Sequence, residues 1–198
     1  MSSFQKYLFF DTETTGIPQN YKAPCTDINN WPRLIQLGWL LTDAEGQILS
    51  EGNHIVRPEG FEIPKAASDV HGITTEIALA EGQSLLDVIF AFGTDLNRSD
   101  CVVGHNLDYD LHVLGAEYVR LGYDSRIMFA RPTLCTMQAT IDYCNIPGAY
   151  GPKWPKLMEL YTKLFGKGFD GAHDAMADIV ATKECFFELL RRGIVRLQ

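Results

Sequence analysis

The segment Tyr7–Gly16, with the sequence YLFFDTETTG, joins the clearest strand of the chain to its most unusual pair of charges. Its first four residues are apolar or aromatic and run into a Thr-Thr-Gly turn signal, a pattern typical of a short strand buried on both faces. Asp11 and Glu13 follow two positions apart. In an extended segment such positions point to the same side, roughly 7 Å apart. The segment therefore predicts two carboxylates side by side at the end of a buried strand.

Two like charges held together in partly desolvated surroundings repel each other. The repulsion is relieved when one carboxyl group is protonated or when a cation binds between them. Ligands that offer only oxygen atoms suit a hard divalent ion such as Mg²⁺ or Mn²⁺. The alternative is that Asp11 and Glu13 merely solvate a strand end, so the prediction of a metal site depends on finding further acids downstream.

Composition predicts a soluble globular protein with a single domain over residues 1–198. The chain has 198 residues, of which 46% are hydrophobic, enough for one substantial core. No apolar run approaches the ~18 residues that would span a bilayer, and the N-terminus shows no secretory pattern, so we expect a cytoplasmic protein without a membrane partner. The five cysteines are scattered and lack a C-x-x-C spacing. We therefore expect reduced, mostly buried thiols.

The formal net charge of -8 argues against long, non-specific binding to duplex nucleic acid, because phosphate binding normally requires a basic surface. Two bound divalent cations would concentrate positive charge in one cleft. Such a cleft is compatible with gripping the last few phosphates of a strand.

Strand and helix patterns predict an α/β fold. Strand-like segments at 34–42 and 47–57 flank the hairpin signal of residues 43–46, so the chain opens with three antiparallel strands. Residues 17–33, with three prolines, are expected to form a surface loop that overhangs the acids. Helical patterns and short buried strands alternate in the remainder, with helices expected at 64–70, 84–96, 106–121, 157–165 and 173–191, strands at 101–104 and 133–136, and a loop at 145–155.

This order of elements predicts a mixed five-stranded sheet, its three antiparallel strands first, flanked by helices. The alternative is a fully parallel, doubly wound sheet. The link between the second and third strands is too short for the crossover helix that parallel strands need, which favours the mixed sheet.

Two further acids border buried helix faces. Asp110 lies at the edge of the apolar stripe of its helix, whereas Asp108 should point to solvent. A carboxylate at such an edge is costly unless it is hydrogen-bonded or faces a cation, although capping of the first helical turn is an alternative role. Asp178 aligns with buried positions of the last helix. His173 is expected at the junction between loop and helix, where it can turn toward a site marked by Asp178.

Three segments resemble the ordered motifs of the DEDD exonuclease superfamily, histidine subtype. They are FDTETTG at 10–16, GHNLDYD at 104–110 and HDAMAD at 173–178. This group includes the proofreading subunit of bacterial DNA polymerase III, the 3′ repair exonucleases, ribonuclease T and oligoribonuclease. The resemblance implies a ribonuclease H-like fold with helices on both faces of the sheet, and 3′-to-5′ exonuclease activity with two divalent cations. It implies that Asp11, Glu13, Asp110 and Asp178 are metal ligands and that His173 is the general base.

The resemblance also suggests contacts to the terminal nucleotide. Thr14 and Thr15 are candidates through backbone N–H groups or hydroxyls, and His71 and Asn106 are further candidates that alternatively hold turns together. Tyr150, Lys153 and Trp154 combine aromatic surfaces with a cation, as in platforms that bind single strands. For Trp154, local packing is the alternative.

The expected substrate is the 3′ end of single-stranded nucleic acid, with DNA favoured and release of nucleoside 5′-monophosphates. Two alternatives stay open at this stage. One is an exoribonuclease similar to ribonuclease T or oligoribonuclease, since sugar preference depends on contacts to the 2′ position that a sequence does not display. The other is a non-catalytic metal-binding module of a replication assembly. Association with a DNA polymerase is a further possible partnership, although a stand-alone nuclease is favoured.

Overall fold

The structure is a computed structural model that describes residues 4–171 and 174–197. The strands are Lys6–Thr14 (β1), Leu34–Asp43 (β2), Ile48–Ile55 (β3), Cys101–Gly104 (β4), Thr133–Cys135 (β5), Pro147–Gly148 (β6) and Gly151–Pro152 (β7). The helices are Lys65–His71 (α1), Thr75–Glu81 (α2), Leu85–Arg98 (α3), Leu107–Arg120 (α4), Thr136–Ala139 (α5), Ile141–Cys144 (α6), Leu157–Phe165 (α7) and Ala175–Arg191 (α8). A 3-10 helix spans Ser125–Phe129.

The predicted mixed five-stranded sheet is confirmed. Its order is β3-β2-β1-β4-β5, with β1 at the centre. The β1–β2 and β2–β3 pairs are antiparallel, whereas β1–β4 and β4–β5 are parallel. The parallel pairs are connected through helices, as parallel strands require. Because β1 has neighbours on both sides, Asp11 and Glu13 lie at the middle of the sheet and not at its edge.

Helices cover both faces of the sheet, and the alternation of β1 decides which residue meets which helix. Leu8 and Phe10 pack in a cluster with α3 and α4. Tyr7 and Phe9 pack on the opposite face against α8, where Phe9 lies 5.4 Å from Phe186 between ring centroids. The same alternation places Asp11 and Glu13 on the α8 face and Thr12 on the α4 face.

Close packing of α8 on the sheet depends on a glycine beside Asp11. Gly38 of β2 is the register partner of Asp11. A Cβ atom at position 38 would lie 2.7 Å from Ile179 Cδ1 and 3.4 Å from Ala175 Cβ, so a larger residue would displace either that side chain or the helix. Ile179 follows Asp178 directly, and the glycine therefore lets the carboxylate-bearing part of α8 approach β1.

The surface loop predicted at 17–33 is confirmed, and α4 holds it in place. Trp31 stacks on His112 of α4, with 4.8 Å between ring centroids. The guanidinium of Arg120 donates to backbone carbonyl oxygens of the loop and to Glu117, which is fully buried and also accepts from Arg33. The loop is therefore fixed to the same helix that carries Asp110.

Other predictions agree with the structure, with small differences. Thr74 and Ser84 cap α2 and α3. The region expected to be a loop at 145–155 contains the two-residue strands β6 and β7, whose short hairpin offers no apolar pattern that sequence can reveal. The cysteines are free thiols, four of them buried. In the described part of the chain, none of the helices has the length and apolarity needed to cross a bilayer.

Candidate active site

Four carboxylates from three elements form one electrostatic cluster. Asp11 and Glu13 lie near the end of β1, Asp110 lies in the first turn of α4, and Asp178 lies in the first turn of α8. Asp110 is buried and the other three are half-buried. The charges of Asp110, Glu13 and Asp178 all act on Asp11, so the structure brings together the four acids that the sequence singled out.

Asp110 is fixed by a side chain of β1. Thr12 Oγ1 donates a 2.6 Å hydrogen bond to Asp110 Oδ1 in the protein interior. Thr12 faces α4 because strand residues alternate between the two faces. Asp108, two residues earlier, is exposed as predicted, so only one of the two α4 acids enters the cluster.

The cluster is electrostatically strained. Burial, followed by the negative charges of Asp110, Glu13 and Asp178, raises the pKa of Asp11 well above its ordinary value. Burial, together with Asp178, Asp110 and Asp174, raises the pKa of Glu13 to about 8. Burial raises the pKa of Asp110 to about 7, although the hydrogen bond from Thr12 acts in the opposite direction. Unless a cation or protons offset the charge, these carboxylates oppose one another's ionisation.

The donor set fits a hard divalent cation in its chemistry. It consists of carboxylate oxygens only, and among residues 4–171 and 174–197 no lysine or arginine forms an ion pair with Asp11, Glu13 or Asp110. Within the same described residues, no three His, Cys, Asp or Glu side chains already lie in a metal-holding arrangement. The carboxylates are nevertheless near enough for their charges to act on one another.

The predicted general base, His173, lies outside the described residues. The helix predicted at 173–191 is observed from Ala175 to Arg191. Asp174 caps it, accepting a hydrogen bond from the backbone N–H of Ala177 at 3.0 Å. Because Asp174 contributes to the raised pKa of Glu13, the start of α8 lies near β1.

A cleft of about 540 Å³ opens beside Asp178, and we call it the Asp178 cleft. Its size falls within the range of small-ligand sites in proteins. Exposed aromatic side chains of Tyr21 and Trp154 contribute to its walls. The remaining lining residues are His105, Asn106, Met137, Pro155, Lys156, Leu157, Met158 and Phe169. Asn106 and Trp154, both predicted to contact substrate, thus share a cleft with a candidate metal ligand.

The threonines of the first motif already have internal hydrogen bonds. Thr14 Oγ1 lies 2.6 Å from the hydroxyl of Tyr109 and donates to the carbonyl oxygen of Gly16. Thr15 Oγ1 accepts from the backbone N–H of Arg33. Both hydroxyls therefore stabilise the end of β1, and contacts from either threonine to a nucleotide stay a prediction.

His71 and Asn106 have unusual local geometry. His71 Nδ1 accepts from the N–H of Ile73, which holds the turn after α1, while its buried Nε2 has no hydrogen-bond partner among the residues that the structure describes. Asn106 has a left-handed backbone, with φ 68° and ψ 32°, at the start of α4. Few residues other than glycine adopt this conformation, and asparagine is among those that do.

The other two candidates on the 145–155 segment lie elsewhere. Tyr150 is fully exposed next to the β6–β7 turn and does not line the Asp178 cleft. Lys153 Nζ forms a 2.7 Å ion pair with Glu159, so its charge is partly neutralised. Their contacts to substrate stay predictions, and of the three candidates Trp154 has the position that best supports one.

Sequence reasoning missed several residues around the site. Tyr21 was one residue of an irregular loop, and Asp174 was overlooked beside Asp178. His105 is half-buried between Thr136 Oγ1 at 3.0 Å and the carbonyl oxygen of Pro155 at 2.9 Å, and its desolvation lowers its pKa to about 4. His105 therefore ties the end of β4 to the segment that carries Trp154. The position of His105 in the GHNLDYD motif at 104–110 was the sequence feature that could have identified it.

The comparison with protein families shows to which family the chain belongs. The sequence model of the RNase T family, described as exonuclease, matches residues 8–186. The chain belongs to this exonuclease family. Its members are nucleases that depend on divalent metal ions, and this chain has the corresponding mixed α/β fold.

Solved structures of Escherichia coli exonuclease I share the fold of this family member. The complex with a dA16 oligonucleotide matches with a TM-score of 0.72 and 23% identity, over 95% of this chain and 41% of that chain. A zinc-bound complex with single-stranded DNA gives a TM-score of 0.75 with the same identity and coverage. The chain thus spans about two fifths of the length of those relatives. Comparison with curated proteins gave no significant match.

Proposed function

We propose that the protein is a 3′-to-5′ exonuclease that hydrolyses the terminal phosphodiester of single-stranded nucleic acid, DNA in preference to RNA, and releases nucleoside 5′-monophosphates. One observation supports this proposal above all: four carboxylates from three separate elements form one electrostatic cluster. They are Asp11 and Glu13 of β1, Asp110 of α4 and Asp178 of α8. Membership of the exonuclease family supplies the class of reaction.

In this proposal the four acids hold two divalent cations, Mg²⁺ or Mn²⁺. When bound, the cations activate water and stabilise the negative charge on the leaving 3′ oxygen. Asp11 is the acid best placed to serve both ions, because the charges of the three other acids all act on it. Thr12 keeps one oxygen of Asp110 in a fixed orientation and thereby limits the rearrangement that cation binding requires.

His173 is the proposed general base. It immediately precedes Asp174, the residue that caps α8 beside the acids. An imidazole with an ordinary pKa near ~6.5 accepts a proton from water at neutral pH, which suits this role.

The Asp178 cleft is the proposed site for the terminal nucleotide. Tyr21 and Trp154 offer aromatic faces on which bases stack, and Asn106 and Asp178 line the same cleft. The fold shared with exonuclease I in complexes with dA16 and dT13 supports a DNA strand as the substrate class. We assign one exonuclease domain to residues 1–198, and the predicted association with a DNA polymerase stays a prediction.

The deciding assay uses single-stranded DNA and RNA, labelled at either end, with Mn²⁺ or with EDTA. We expect a 5′-labelled DNA strand to shorten progressively while a 3′-labelled strand releases a labelled mononucleotide at once, and EDTA to abolish both. Release of mononucleotides from the 5′ end would overturn the polarity. Faster hydrolysis of RNA would identify an exoribonuclease, and no hydrolysis of either strand would overturn the proposal.

Two variants separate the proposed roles. Asp11→Asn should lose activity and bind Mn²⁺ more weakly. His173→Ala should retain Mn²⁺ and substrate binding while its kcat falls by about 100-fold or more, the range of general-base contributions. A near-normal kcat would remove His173 from the mechanism.

A further inference from the structure

We propose that the strand upstream of the terminal nucleotide leaves the Asp178 cleft along α7, with its phosphates held by Lys156, Lys163 and Lys167. We call these three residues the α7 lysine face. The inference deepens the proposed function, on which it rests. Among the described residues that line the cleft, Lys156 is the only lysine or arginine.

The first observation is a local excess of positive charge. Residues 153–167 contain four lysines and a single acidic residue, Glu159, in a chain whose formal net charge is -8. Glu159 is paired with Lys153 at 2.7 Å. The three lysines of the face are exposed, and among the described residues no acidic side chain forms an ion pair with them.

The second observation is their alignment. Lys156 is the N-cap of α7, Lys163 lies in its last turn, and Lys167 follows the helix after Gly166. A spacing of seven residues places Lys156 and Lys163 on the same side of the helix, about 20° apart. The buried residues Leu160, Tyr161 and Leu164 lie on the neighbouring side of α7, so these two lysines stand at the edge of its exposed face. They are about 10 Å apart along the helix axis, and Lys167 follows at the C-terminal end.

The third observation is continuity with the cleft. Met158 lines both the Asp178 cleft and a shallow groove along α7. The groove continues past Glu159 and Thr162 to Lys163. Lys156 and Trp154 stand at the cleft end of this path. A strand whose terminal base stacks in the cleft can thus place its next phosphates beside α7, where Lys163 lines the groove.

Phosphates are the ligand that this surface fits. Lysine ammonium groups bind phosphate as point charges, and they do so without sequence preference. Each contact releases counterions, so the affinity for a single strand falls with salt, with a slope that steepens by about 0.7 for each phosphate neutralised. The proposal therefore makes a prediction about salt dependence as well as about substrate length.

The test compares two DNA substrates, dT3, which we expect to be accommodated largely within the cleft, and dT12, which extends over α7. The variant carries Lys163→Gln and Lys167→Gln, changes that keep side-chain length and lie outside the cleft. We expect KM for dT12 to rise at least about tenfold at 50 mM salt and its salt slope to become shallower by about 1.4. KM for dT3 and both kcat values should stay within about twofold of wild type, since no cleft residue changes.

The matched control removes two other exposed cations, Arg57 after β3 and Arg126 on the 3-10 helix, by substitution with glutamine. It should leave KM for dT12 and its salt slope unchanged. Equal effects of the two double variants would show that only total charge matters and would overturn the proposal. So would an unchanged KM for dT12 in the Lys163→Gln, Lys167→Gln variant. Lys163→Arg should behave as wild type, and Lys163→Glu should raise KM for dT12 further.

The outcomes are separable from those of the proposed function. A wild-type protein that hydrolyses neither dT3 nor dT12 contradicts the exonuclease assignment itself. A wild-type protein that hydrolyses both, with no difference between the two double variants, contradicts the path along α7 alone.

Discussion

Thr12 Oγ1 donates a 2.6 Å hydrogen bond to Asp110 Oδ1 and joins the central strand to α4 inside the acid cluster. This bond favours the ionised form of a carboxyl group whose pKa burial raises to about 7. The protonation of Asp110 near neutral pH therefore depends on a neighbouring hydroxyl group.

Replacement of that hydroxyl should shift the pH dependence of hydrolysis. In Thr12→Val the pKa of Asp110 rises further, because the bond that stabilises its anion is lost. We expect activity at pH 7 to fall about tenfold, in line with the ~1.5–3 kcal/mol of a hydrogen bond to a charged group. The acidic limb of the pH–rate profile should move to higher pH. Thr12→Ser keeps a hydroxyl and should retain the wild-type profile, while an unshifted Thr12→Val profile would contradict this role.

The metal-free protein should become less stable as the pH rises from about 4 to about 8. The pKa values of Glu13, about 8, and Asp110, about 7, lie above those of an unfolded chain, so the folded state holds these protons more tightly. Unfolding then releases protons, and a higher pH favours unfolding. Thermal melts in EDTA should show the trend, each kcal/mol lowering Tm by about 2–4 °C for a chain of this size.

Divalent cations should reverse this trend. Mn²⁺ competes with protons for the acids, so the rise in Tm on adding Mn²⁺ should be larger at pH 8 than at pH 5. Glu13→Gln removes one of the repelling charges and should flatten the pH dependence in EDTA. A Tm that increases steadily with pH in EDTA would contradict the electrostatic picture.

The aromatic walls of the Asp178 cleft should contribute to substrate affinity rather than to turnover. Trp154→Ala and Tyr21→Ala should each raise KM for single-stranded DNA by about 5- to 150-fold, the equivalent of ~1–3 kcal/mol of base stacking, and change kcat little. Phe90→Ala is the matched control, because Phe90 is an exposed aromatic residue on α3 and does not line the cleft. Equal kinetics in all three variants would exclude stacking in the cleft.

The ion pairs that fix the 17–33 loop should be important for stability. In Arg120→Met the buried carboxylate of Glu117 keeps Arg33 and the N–H of Leu34 but loses its second guanidinium. We expect a loss of about 1.5–3 kcal/mol in the free energy of unfolding, the range for a hydrogen bond to a charged group, because Glu117 keeps its other partners. Arg126→Met breaks a fully exposed, solvent-screened pair with Asp124 and should leave the free energy of unfolding nearly unchanged. Urea denaturation of the two variants distinguishes these outcomes.

Much of the fold could be predicted because local signals agreed with one another. The apolar run before Asp11, the short hairpin signal at 43–46 and the capping residues Thr74 and Ser84 each specify an element without information about distant contacts. The helical spacing around Asp110 also distinguished it correctly from the exposed Asp108. The β6–β7 hairpin could not be predicted, since two-residue strands carry no periodicity.

The remainder of the site depends on side-chain pairings that no periodic pattern in the sequence reveals, some of them between segments far apart in the chain. Tyr21 reaches the Asp178 cleft because Arg120 and His112, almost 100 residues later, hold its loop. Lys153 appeared available for substrate, but its partner Glu159 occupies it. The residue pattern of a segment does not show these pairings. The sequence therefore indicated which residue types could contact substrate, but not which side chains were already engaged by other partners.

Gly38 carries no functional group, yet its small size determines how closely α8 packs on the sheet beside the acids. The gap between the strand that bears Asp11 and the helix that bears Asp178 is set by the missing side chain on the neighbouring strand. A larger residue at this position that displaces α8 would increase the distance between Asp11 and Asp178 while leaving the identity of every acid unchanged. Loss of hydrolysis in such a variant would thus reflect a longer distance between the carboxylates, because the chemical groups themselves are unchanged.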